Sequence, residues 1–106
     1  MKISSKKLGE YTVLSISGIL NASSAPQFKK YLEESDVNGS LIIDLEHVDF
    51  LDSSGLGTLV GIARRKKTAN EILKLVNLNE RVKKVFEITQ AYTLFDIYDD
   101  LDAAAE

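Results

Sequence analysis

Asp52-Ser53-Ser54-Gly55-Leu56-Gly57 gathers the residue types best placed to do chemistry, two adjacent hydroxyls between a carboxylate and a pair of glycines. A hydroxyl at the start of a helix projects into solvent, and a phosphate attached there meets free N–H groups and the positive end of the helix dipole. The same residues also suit a purely structural role. Asp52 or Ser53 would cap the helix, and Gly55 and Gly57 would let it pack closely on a sheet. A serine nucleophile needs a base, and the sequence places neither histidine nor lysine beside the pair, so a serine here would be a substrate.

Other reactive groups are sparse. The chain has no cysteine, which removes disulfides, thiolate nucleophiles and cysteine-ligated metals and suits a reducing compartment. His47 is the single histidine and reads as an ordinary loop residue at a strand end. Asp44, Asp49 and Asp52 match a hard-cation site only loosely, since neither a glycine-turn loop nor a bidentate glutamate follows. A phosphoaspartate receiver would need an acidic pair after its first strand, where this chain has Ser17-Gly18-Ile19. No catalytic residue, metal or cofactor is expected.

Positioning such a turn requires a folded frame, and 106 residues suffice for one domain, expected to span 1–106. Hydrophobic residues at 44% and charged residues at 27% are ordinary for a globular domain that folds alone. Thirteen Lys and Arg against sixteen Asp and Glu give a net charge of −3, which leaves no basic face for a nucleic acid. The N-terminal MKISSKKLGEYTVL lacks a signal-peptide core, and no run approaches the roughly 20 apolar residues that span a bilayer. A cytoplasmic protein without a membrane association is expected.

Lys2 to Leu8 and Tyr11 to Ser17 read as a β-hairpin, with Gly18 ending the second strand. In NASSAPQFKKYLEES, Ala25, Phe28, Tyr31 and Leu32 cluster on one helical face; Ser24 with Gln27 has capping-box spacing, Pro26 suits a first turn, and Asn21 and Ser23 compete as caps. After the turn signal Asp36-Val37-Asn38-Gly39, SLIIDL reads as a strand covered on both faces. A second helix, with Leu56, Leu59, Val60 and Ala63 as its stripe, runs to about Lys67. EILKLV is a further strand, parallel to SLIIDL. Asn77 with Glu80 signals a third helix carrying Leu78, Val82, Val85 and Phe86. TLFDIY is the last strand, and DDLDAAAE a short acidic helix or a frayed tail. The class is α/β, with a mixed, mostly parallel sheet, an N-terminal hairpin and about four helices. Ligands of such sheets meet the carboxyl ends of strands, here Gly18 to Ser24 and Val48 to Gly57.

LIIDLEHVDFLDSSGLGTLVGIARR resembles the strand, loop and helix of STAS domains, specifically the bacterial anti-sigma factor antagonists. VLSISGILNASSAPQFKKYL and ILKLVNLNERVKKVFEITQAYTLFDIYDD are similar to the family's first helix region and its closing strand-helix-strand, so the likeness covers nearly the whole chain. The resemblance implies a STAS fold and a regulatory binding protein, not an enzyme. It implies that an anti-sigma factor serine/threonine kinase phosphorylates Ser53, with Ser54 the adjacent alternative. The unphosphorylated form would bind that kinase and free the sigma factor, and a metal-dependent phosphatase would restore binding after phosphorylation. The family's contact surface maps onto Leu20, Asn21, Ser23 and Ser24 and onto Asp52, Ser53, Ser54, Gly55, Leu56 and Gly57. Asn21 stands where the family frequently has an acidic residue, and Asn70 where it often has a glycine, a role a left-handed asparagine can fill.

Two other classes compete with this reading. A STAS scaffold subunit of a transporter or stress-signalling complex would share the fold, but the sequence carries no transporter segments and keeps Ser53. A small enzyme would need a positioned base, metal ligands or a phosphate cradle, none of which the motifs supply.

Overall fold

The computed structural model describes residues 1–35 and 39–105. Five strands form one sheet in the order β1-β2-β3-β4-β5: β1 (Lys2–Leu8), β2 (Tyr11–Leu20), β3 (Leu41–Leu51), β4 (Leu73–Val76) and β5 (Asp96–Tyr98). β1 and β2 are antiparallel and the other pairs parallel, as the alternating strand and helix pattern predicts. The helices are α1 (Ala25–Glu34), α2 (Ser53–Thr68), α3 (Glu80–Thr89) and α4 (Leu101–Ala105), with a 3-10 turn at Ala91–Leu94.

Period-two alternation divides the sheet into two unequal faces. Leu14, Ile16, Leu41, Ile43, Leu45 and Leu75 point toward α1, α2 and α3, where they pack with Phe28, Leu59 and Phe86. Val13, Ile42 and Val76 point the other way, onto a small cluster closed by Ala104 of α4. Leu41, Ile42 and Ile43 are buried together, which is why SLIIDL lacks alternation and is legible as a central strand.

Several boundaries differ from the sequence expectation. Gly18 does not end β2, which continues to Leu20. The β2–β3 register shifts between Ser15 and Ser17 and again between Gly18 and Ile19, and Gly18 adopts φ +99, so this glycine serves an irregularity inside the strand. β3 likewise runs through Glu46, His47 and Asp49 to Leu51, so His47 lies in a strand opposite Ser17 and Val48–Leu51 is not a loop.

The predicted capping box on α1 is absent, since Ser24 makes no side-chain cap bond and the Gln27 amide donates to the Met1 carbonyl instead (3.2 Å). α3 is capped by Asn79, whose side chain accepts from Val82 N; Asn77 sits before it at φ +56. The buried stripe of α2 is Gly55, Leu56, Thr58, Leu59 and Ile62, with Val60 and Ala63 half-buried. Only Asp96–Tyr98 of TLFDIY is strand, because the preceding residues close a 3-10 turn after left-handed Gln90 (φ 58). Of the predicted turn, Asp36 to Asn38 lie outside the described residues, and Gly39 has φ +85. Asn70 adopts φ 59, the left-handed conformation expected of it.

Candidate functional site

Asp52 lies between β3 and α2. Its extended backbone (φ −105, ψ −174) and its Oδ1, accepting from Gly55 N at 2.8 Å, make it the helix cap. Ser53 and Ser54 are therefore the first two residues of α2. Both are exposed, and among the described residues neither hydroxyl is hydrogen-bonded within the chain. α2 ends in Arg65, Lys66 and Lys67, which complement the negative pole of its dipole, while the Asp52 carboxylate is the charge at its start.

Gly55 is fixed by space. A Cβ there would overlap the Leu20 carbonyl oxygen and lie 2.8 Å from Leu51 Cδ1 and 2.9 Å from Leu20 Cγ. Asp52 N also donates to the Leu20 carbonyl, at 3.3 Å. The two segments named from sequence, Leu20 to Ser24 and Asp52 to Gly57, are thus packed directly together. Gly57, by contrast, has open space where a side chain would stand.

The Leu20 to Ser24 turn is held from within. Asn21 Oδ1 accepts from the backbone N–H of Ser23 (3.0 Å) and of Ser24 (3.1 Å), an arrangement typical of asparagine turns. Ser24 Oγ accepts from Asn21 N (2.9 Å) and donates to the Ile19 carbonyl (2.7 Å). An aspartate at position 21 could accept the same two bonds.

The candidate residues sort by exposure. Ser23, Ser53, Ser54 and Gly57 are exposed, Asn21, Ser24 and Asp52 half-buried, and Leu20, Gly55 and Leu56 buried. The buried three shape the surface from beneath. Sequence reasoning missed Ile19 and Phe50, which are 48% and 52% exposed and are direct partners across β2 and β3. Each precedes a buried leucine, Leu20 or Leu51, so alternation turns it away from the helical layer. Together they form an exposed apolar pair near the ends of β2 and β3, one residue before Leu20 and Leu51. That alternation was the available signal, hidden by the register shifts.

The remaining polar candidates are occupied separately. Asp44 accepts from Glu46 N (3.0 Å) and from the Asn77 amide (3.2 Å), while Asp49 faces Arg81 at 3.8 Å on the surface. His47 Nε2 lies 3.3 Å from Glu46 and is exposed. Among the described residues no group of three or more acidic or histidine side chains could hold a metal ion. The Asn79 amide donates to the carbonyls of Glu46 (3.0 Å) and Val48 (2.7 Å), tying the irregular part of β3 to α3. No helix among the described residues is long and apolar enough to cross a membrane.

Comparison with known proteins agrees with this architecture. The STAS domain family model matches residues 2–104. The anti-sigma-B factor antagonist of Bacillus subtilis is 35% identical over 85 residues, covering 79% of this chain and 78% of that protein. The anti-sigma-B factor antagonist of Listeria monocytogenes is 33% identical over 84 residues, covering 77% and 74%. The crystal structure of an anti-sigma factor antagonist from Mycobacterium paratuberculosis superposes with a TM-score of 0.84 at 25% identity, covering 97% of this chain and 89% of that one. With a five-stranded mixed sheet, a capped Asp-Ser-Ser-Gly helix start and these relatives, the chain belongs to the STAS domain family, among its anti-sigma factor antagonists, which are regulatory binding proteins rather than enzymes.

Proposed function

We propose that this protein is a partner-switching antagonist whose unphosphorylated form binds an anti-sigma factor with serine/threonine kinase activity and thereby frees a sigma factor. Phosphorylation of Ser53 switches that binding off, and a metal-dependent serine phosphatase restores it. The observation that carries the reading is the position of Ser53: an exposed, uncommitted hydroxyl on the first residue of α2, three residues after exposed Phe50 at the end of β3.

That placement suits a switch on physical grounds. A phosphate adds about −1.5 to −2 charge at neutral pH. At the helix start it meets the positive pole, so the fold tolerates it. A partner covering the turn and the apolar pair must strip water from that charge, which opposes binding without any rearrangement of this chain. Ser54 shares the exposure and is the alternative acceptor. Leu20, Gly55 and Leu56 hold the surface in shape, while Asn21, Ser23, Ser24, Asp52 and Gly57 complete it.

Phosphopeptide mapping after incubation with ATP and the organism's candidate anti-sigma kinases tests the assignment. One phosphate on wild type, lost in Ser53→Ala, is the expected result. Phosphate retained in Ser53→Ala and lost in Ser54→Ala moves the switch by one residue, and no phosphate with any kinase contradicts the reading.

A further inference from the structure

The outer face of the sheet carries a charge that the binding site does not use. Lys74, on β4, is 6% exposed, and its ammonium donates to the Ala104 carbonyl at 2.7 Å. The Tyr11 and Tyr98 rings flank it, with centroids 5.0 and 4.8 Å away. Among the described residues no carboxylate lies within ion-pair distance of it. A lysine buried between aromatic faces and bonded to a carbonyl in a helix's last turn is held by cation–π attraction and by an acceptor that the helix end leaves unpaired.

The helix it holds is slight. α4 has five residues, against the roughly 12–15 that sustain a helix alone in water, and its buried residue is Ala104. Asp100 supports its start, accepting from Ala103 N through Oδ1 (2.8 Å) and from Ala104 N through its carbonyl (3.2 Å). α4 rests on β4 and β5, over the small cluster of Val13, Ile42 and Val76, whereas the main core lies wholly on the other face. Lifting α4 therefore leaves the packing of α1, α2 and α3 intact, the condition for a local opening distinct from global unfolding.

We propose that α4 is a detachable strap and that the Lys74 ammonium, caged by Tyr11 and Tyr98 and bonded to Ala104, is the latch that keeps it seated. When the latch releases, the outer face of β2, β3 and β4 is uncovered while the helical face stays closed.

Amide hydrogen exchange and amine acetylation on the whole chain test the proposal. In wild type, the Ala103 and Ala104 amides should exchange through an opening more frequent than that of Leu14 and Ile43, and Lys74 should be acetylated in step with them. In Lys74→Met, protection at Ala103 and Ala104 should fall by about tenfold or more, as expected for a lost bond to a charged donor, with Leu14 and Ile43 unchanged. Lys74→Arg, which keeps the charge and the donors, should retain part of the protection. Exchange and acetylation that occur only on global unfolding overturn the strap. Unchanged protection in Lys74→Met, or equal loss of protection at Leu14 and Ile43, overturns the latch.

Discussion

The Leu20 carbonyl lies against the Cα of Gly55 so closely that no side chain fits between them, and it also accepts a hydrogen bond from Asp52. Two turns, more than thirty positions apart in the chain, are thereby one surface. Gly55→Ala must displace backbone, not a flexible side chain, and should destabilise the fold by about 1–3 kcal/mol. Gly57→Ala, two residues on, meets open space in a helix and should raise stability by about 0.5–1 kcal/mol. Urea denaturation of the two variants should therefore show midpoints moving in opposite directions, and parallel shifts would contradict the geometry.

Asn79 does more than a cap. Its Oδ1 accepts from Val82 N at 3.0 Å, while its amide holds the carbonyls of Glu46 and Val48. Asn79→Ala should cost about 2 kcal/mol or more, exceeding Asp52→Ala, which removes a single cap bond worth about 0.5–2 kcal/mol. Asn77→Ala, which strips a part-buried bond to Asp44 and puts alanine at a left-handed φ of +56, should also destabilise in the same thermal-melt series, by about 1–2 kcal/mol.

Much of this architecture is legible in the residues. SLIIDL declares a central strand by its unbroken apolar run, and Asp52 with Gly55 declares a capped helix start. The extension of β3 to Leu51 is hidden because the register shifts between Ser15 and Ser17 and between Gly18 and Ile19 put His47 and Asp49 on the surface where regular alternation from Leu45 would not. Those same shifts conceal Ile19 and Phe50 as an exposed pair. Asn77 and Asn79 are equally good caps by type, and the choice of Asn79 is made by the β3 carbonyls it reaches, a tertiary contact. Lys74 looks like a solvent-facing strand residue until α4 folds over it.

Ile19 and Phe50 separate binding from folding. Phe50→Ser removes an exposed ring and should change stability by less than about 1 kcal/mol. Under the proposed function it should weaken binding to the anti-sigma kinase by about tenfold or more, as loss of a central aromatic anchor does. Calorimetric titration paired with thermal melting measures both effects, and full affinity in Phe50→Ser would remove the apolar pair from the interface.

Lys74 gives the protein an alkaline signature. The Tyr11 phenolic group, first, then the negative charges of Tyr11 and Tyr98 once they ionise and of Asp96, raise its pKa above the usual lysine value, while burial opposes the rise. A raised folded-state pKa contributes stability that is fully present below the unfolded lysine value of about 10.4 and is lost as pH climbs through the folded value. Wild type should therefore lose stability above about pH 10.4 with a component that Lys74→Met lacks. Urea midpoints collected from pH 8 to pH 11, in steps, check this, and identical profiles for the two proteins would contradict it.

The central claim is that a phosphate on Ser53 abolishes partner binding without altering the fold. The most direct measurement is the affinity of the cognate anti-sigma kinase for unphosphorylated and Ser53-phosphorylated protein, with amide spectra of both forms recorded alongside. The account predicts a loss of about a hundredfold or more in affinity, with spectral changes confined to the start of α2 and the Leu20 to Ser24 turn. Equal affinity of the two forms, or a loss accompanied by changes throughout the sheet, would contradict it.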